Sequence, residues 1–79
     1  MRSVTLYGKP DCHLCHAARD LLLGLQREYV FLLDEVDISQ DSALEERYRY
    51  AIPVIVIDFD IELSAPIHEC ELRAALWRR

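Results

Sequence analysis

Cys12-His13-Leu14-Cys15 is the stretch of this 79-residue chain whose residue types and spacing best suit chemistry. Two thiols three positions apart suit thiol–disulfide exchange when they follow a strand and open a helix. At a helix N-terminus the unsatisfied N–H groups and the macrodipole favour an anion. Such sites bring a thiol pKa from about 8.5 into a range of roughly 3.5–7.5, which supplies thiolate at neutral pH. Cys12 is placed for that role, and Cys15, one turn on, is close enough to close a disulfide. Lys9, the chain's one lysine, and His13 are candidate cations beside the thiolate, while Asp11 opposes them. His16 reads as solvent-facing. Zinc is a rival use of the pair: His68 and Cys70 would complete a four-ligand set, although H-x-C is not a standard second half-site. A redox-silent interaction domain is the other rival. Cys70 by itself reads as a small, partly buried residue.

The elements that must position these groups follow from patterning. Residues 3–7 alternate Val4 and Leu6 with polar neighbours and predict a strand, closed by Gly8-Lys9-Pro10-Asp11. Over 13–28 the apolar steps Leu14, Ala17, Ala18, Leu21, Leu22 and Leu25 predict an amphipathic helix with Gly24 inside it. Tyr29–Val36 predicts a second strand. Asp41 predicts the N-cap of a short helix over 42–48, with Leu44 and Tyr48 on one face. Val54–Ile57 is an unbroken β-branched run, as in a strand covered on both faces. Asp58-Phe59-Asp60 has the length of a hairpin loop into Ile61–Ser64, without the usual glycine. A last helix is expected from about Ile67-His68, with Leu72, Ala75 and Leu76 inward and Arg78 and Arg79 against its C-terminal dipole. Tyr7, Tyr48, Tyr50 and Trp77 read as core or rim packing. A βαβ unit followed by ββα brings three chain points to one end of the sheet. These are Lys9–Cys15, Ile52-Pro53 and Ala65–Cys70.

Composition bounds the rest. Apolar residues make up 52% of the chain and charged residues 29%, which excludes disorder and describes one small domain over residues 1–79. Fourteen acids against nine bases give a net charge of −5, so no basic face for nucleic acid is expected. Apolar runs stop at four or five residues, where a membrane span needs about 20. The N-terminus lacks a secretory pattern. Three cysteines leave an odd thiol, which fits a reducing, cytoplasmic setting better than a secreted disulfide scaffold, and a monomer is expected.

Ile52-Pro53-Val54 completes the pattern, because a proline opening a buried strand belongs at its first residue. Strand, Lys9-Pro10-Asp11-Cys12-His13-Leu14-Cys15, helix, strand, short helix, then I-P-V opening a hairpin resembles the glutaredoxin branch of the thioredoxin superfamily, from Val4 to Trp77. CHLC with EVDI and RYAIPVIVID further resembles the short bacterial glutaredoxin-like proteins. The resemblance implies an α/β thioredoxin-like fold with a four-stranded mixed sheet in order 2-1-3-4 flanked by three helices. It implies Cys12 as attacking thiol, Cys15 as resolving thiol and Pro53 as a cis-proline that exposes the Ile52 backbone to substrate. The departures are His13-Leu14 between the cysteines, where that family usually carries Pro-Tyr, and Ile52 where it has Thr or Ser. Ser64-Ala65-Pro66 replaces the Gly-Gly pair at which glutathione docks. The expectation is a thiol-disulfide oxidoreductase with no resident cofactor, acting on a disulfide-containing protein or small thiol, with glutathione at most its reductant. Arg49 or Arg47 would then meet a substrate carboxylate.

Overall fold

The computed structural model describes residues 2–77, so Arg78 and Arg79 lie outside the described residues. The order is β1 (Arg2–Gly8), α1 (His13–Leu25), β2 (Phe31–Asp37), a single 3-10 turn (Ile38–Gln40), α2 (Ser42–Tyr48), β3 (Val54–Ile57), β4 (Ile61–Ser64) and α3 (Glu69–Trp77). The strands form one sheet in the order β2-β1-β3-β4. β1 and β2 are parallel, with Leu6 opposite Glu35 and Gly8 opposite Asp37. β3 runs antiparallel to both β1 and β4. This is the mixed four-stranded sheet with three helices that the resemblance implies.

Alternation along the strands divides the core in two. Val4, Leu6, Ile55 and Ile57 pack with Leu22, Leu25, Leu72 and Leu76 of α1 and α3. On the opposite face Val54 meets Ile38 and Tyr48, with Tyr7, Leu44 and Val56 around them. β3 is therefore covered on both faces, which is why its four residues are all β-branched and apolar. The Asp41 carboxylate caps α2 by accepting from the N–H groups of Ala43 and Leu44, at 2.9 and 3.3 Å. No helix among the described residues is long and apolar enough to cross a membrane.

Several expectations about boundaries and burial are corrected. α1 ends at Leu25, not at position 28, because Leu25 is the last residue of the expected span whose side chain reaches the core. Beyond it the bonds tighten to Arg27 N–H on the Gly24 carbonyl and Glu28 N–H on the Leu25 carbonyl, and residues 26–28 are exposed. β2 starts at Phe31, the partner of Arg2 where β1 begins, and leaves Tyr29 and Val30 outside the ladder. α3 starts at Glu69, with the His68 carbonyl accepting from Glu71 and Leu72. Leu14 and Ala17, counted in the buried stripe of α1, are exposed, as are Tyr50 and Trp77.

The β3–β4 hairpin turns through Asp58 and Phe59, both in the left-handed region at φ 54° and 60°. Asp60 N–H closes the turn on the Ile57 carbonyl at 3.1 Å. Two central residues at positive φ define a type I′ turn, the twist that suits a hairpin. The Asp58 carboxylate also accepts from Ser3 N–H and Arg2 Nε. The same arginine donates to the carbonyls of Ala75 and Leu76, tying the hairpin and β1 to the end of α3.

Candidate functional site

Cys12 is the N-cap of α1, held in extended backbone at φ −102° and ψ 110°. Its N–H closes a turn on the Lys9 carbonyl at 3.3 Å, and its carbonyl receives His16 N–H at 3.1 Å. Its Sγ accepts the Cys15 N–H at 3.1 Å, so the sulfur occupies the place of an oxygen cap and meets one of the helix's orphan donors. That arrangement favours negative charge on Cys12. Cys12 and Cys15 are joined as a disulfide, with Cα atoms 5.2 Å apart. Cys12 is half-buried and Cys15 only 4% exposed, so one sulfur faces outward and the other inward.

Two cavities of about 190 Å³ each flank the first turns of α1. One is an apolar groove walled by Leu14, Ala17, Ala18 and Leu21 of α1, by Pro53, and by Ala65, Pro66 and Ile67. It gathers the three chain points expected at this end of the sheet. The Ile52–Pro53 and Ala65–Pro66 peptide bonds are both cis. Pro53 is buried, and the Ile52 N–H is engaged by the Tyr48 carbonyl at 3.1 Å. The other cavity is a recess between α1 and β2, whose polar wall is Lys9, His16, Arg19, Glu35 and Asp37, with Cys15 at its back.

The remaining expected site residues are spread around these spaces. Lys9 walls the recess and points its ammonium to Glu45 of α2, at 3.0 Å. His13 is exposed, and its ring stands edge-on to His16 with centroids 6.4 Å apart. His16 is half-buried, contrary to the solvent-facing expectation, because its side of the helix turns toward β2. Arg49 stacks on the exposed Tyr50 ring at 4.9 Å, and Arg47 lies 3.8 Å from Glu62. Neither arginine walls either cavity. Cys70 is exposed and unpaired among the described residues. No group of three or more His, Cys, Asp or Glu among those residues is placed to hold a metal ion, so Cys12, Cys15, His68 and Cys70 do not form the rival set.

Gly8, Glu35 and Asp37 escaped the sequence reading. A β-carbon on Gly8 would stand 2.9 Å from both Cβ and Sγ of Cys15. Glu35 and Asp37 share a face of the sheet with Leu6 and Gly8 because parallel partners point the same way. Hydrogen bonds from the Ser39 hydroxyl and N–H hold the Asp37 carboxyl below its ordinary pKa, with a smaller contribution from Lys9. The sequence signal for Glu35 and Asp37 is their place in the EVDI stretch of the resemblance, and for Gly8 its place in the turn that closes β1.

A thioredoxin-type sheet whose first helix opens on a disulfide-forming C-x-x-C defines a class of thiol–disulfide redox proteins. Within it, this chain belongs to the glutaredoxin-like family: the model of the glutaredoxin-like domain (DUF836) matches residues 3–77. It is similar to the X. campestris protein XcR50, at 36% identity over 92% of this chain and 93% of that one, with a TM-score of 0.79. It is similar also to protein Ne2328 from Nitrosomonas europaea, at 28% identity, coverage of 95% and 91%, and a TM-score of 0.81. Oxidized thioredoxin O2 from Arabidopsis thaliana shares the fold, at 18% identity, coverage of 95% and 71%, and a TM-score of 0.74.

Proposed function

We propose that the protein is a thiol-disulfide oxidoreductase in which Cys12 attacks and Cys15 resolves. The observation that carries this reading is the Cys12 sulfur at the mouth of α1, accepting the Cys15 N–H, with Cys15 buried behind it. The Cys12 thiolate attacks one sulfur of a substrate disulfide, and the other leaves as a thiolate. Cys15, deprotonated, then attacks the Cys12 sulfur and the second substrate thiolate leaves. Two electrons have passed from the pair to the substrate, and a thiol reductant returns them. The N-terminus of α1 stabilises the exposed thiolate, with Lys9 in the loop before it and His13 directly after it, and Ile52-Pro53 orients the incoming chain. One chain and a reducing compartment suffice.

The substrate class we infer is a protein disulfide flanked by apolar residues. The groove that begins at Leu14, between the two cysteines in the chain, is walled by hydrocarbon, and Ala65-Pro66 stands where a close backbone approach would need glycine. Proline also removes a donor, and one lost hydrogen bond to a charged group is worth about 1.5–3 kcal/mol, or roughly ten- to a hundredfold in affinity. The test compares turnover of a disulfide-bonded protein with that of a glutathione mixed disulfide. Reduction of the protein, abolished by Cys12→Ser, with glutathione served roughly tenfold or more less well, is the expected result. Wild-type protein that turns over neither would refute the oxidoreductase reading; equal use of both would refute the substrate class.

A further inference from the structure

The resolving step needs a second thiolate, and Cys15 is 4% exposed. In the reduced protein Cys15 carries a proton on sulfur, and that proton must be drawn off as Cys15 attacks. The groove offers no acceptor, since its wall is Leu, Ala, Pro and Ile. The recess does. Its volume of about 190 Å³ has room for water, and Cys15 forms part of its wall.

We propose that His16, acting through water in the recess between α1 and β2, accepts the Cys15 proton during resolution of the mixed disulfide. The proposal rests on the oxidoreductase reading above. The recess is faced by His16 and Arg19 from α1, Lys9 from the preceding loop, and Glu35 and Asp37 from β2. His13 stands edge-on to His16 from the solvent side. Asp37 is the poorer base, because the Ser39 N–H and hydroxyl both bond one of its carboxylate oxygens and stabilise the anion. Lys9 and Arg19 are cations, which leaves His16 and Glu35. A neutral imidazole is a stronger base than a carboxylate, and a proton acceptor for a thiol needs that basicity. The imidazole is the better match to a thiol, and it adjoins Cys15 in the chain. In the step, the Cys15 S–H proton passes to neutral His16 as the sulfur electron pair attacks Cys12. The Cys12–substrate S–S bond breaks, and its electron pair leaves on the substrate sulfur. The imidazolium then returns its proton to that thiolate or to solvent. Glu35, across the recess, stabilises the imidazolium.

The experiment uses reduced protein carrying Cys70→Ser, which removes the exposed third thiol, and dithionitrobenzoate as the disulfide. Attack by Cys12 releases one coloured thionitrobenzoate at a rate set by reagent concentration. Attack by Cys15 releases the second at a rate independent of it. His16→Gln is expected to leave the first phase unchanged and slow the second about a hundredfold near pH 7. The variant's second phase should fall furthest behind wild type near neutrality and catch up with it at alkaline pH, where hydroxide takes the thiol proton unaided. A second phase that superposes in the two proteins, or is slower by the same factor at every pH, would overturn the assignment. Absence of both phases in wild type would overturn the oxidoreductase reading itself.

Discussion

At position 8, β1 passes so close to α1 that any side chain would press on Cys15, at 2.9 Å from both Cβ and Sγ. Overpacking of this kind costs about 1–3 kcal/mol. A free Cys15 thiol can rotate away, whereas the disulfide fixes it against the strand. Gly8→Ala is therefore expected to destabilise the oxidised protein by about 1–3 kcal/mol and the reduced protein by less, as read from urea unfolding of both forms. Equal losses would mean that the strand moves and the sulfur does not. The redox pair itself is legible in the sequence because its spacing and its strand-to-helix setting are local. Gly8 is not. It reads as punctuation, and its real constraint is a distance between two elements that no local pattern carries. His16 is obscured for the same reason: whether it meets solvent or a strand depends on where β2 lies.

Among the elements, the strongly patterned ones are where the sequence places them, and the misjudged boundaries share a cause. A helix held by packing stops where packing stops, so α1 ends with Leu25 although helical residues continue. A strand begins where a partner begins, so β2 waits for Arg2. The β3–β4 hairpin is the element most at odds with local preference. Phe59 occupies left-handed backbone at φ 60° while its ring is 83% exposed. That conformation costs a non-glycine residue about 1–2 kcal/mol, against roughly 0.5–1 kcal/mol of extra chain entropy for glycine. Phe59→Gly should thus stabilise the fold by about 0.5–1 kcal/mol, raising Tm by about 2–8 °C. Thermal unfolding followed by circular dichroism checks this, and a lower Tm would show that the ring contributes packing the turn depends on.

For the molecule as a whole, three carboxylates link folding to pH. The Arg73 guanidinium, hydrogen-bonded to Glu28, holds that carboxyl below its usual value. Ser39 does the same for Asp37, and Ser3 N–H with Arg2 for Asp58. A carboxyl with a depressed folded pKa contributes stability above its unfolded pKa and loses it as pH falls through the folded one. Tm should therefore hold from neutrality down to about pH 5 and fall below it, through roughly pH 4. Arg73→Gln removes the share of Glu28, so its acid limb should be shallower. These groups are exposed, so added salt should narrow the difference between the two proteins. Identical limbs would show that the Arg73 pair, which joins α3 to the turn after α1, is electrostatically silent. The placement of α1 has a consequence at this same scale. At 100° per residue, Leu14, Ala17 and Leu21 project roughly 150° away from Cys15, His16 and Arg19. The helix is thus a partition, with an oily approach on one flank and a wet one on the other. A large partner laid along the oily flank leaves the wet flank open, so the bulk of the visitor is uncoupled from the acid–base chemistry that lets it go.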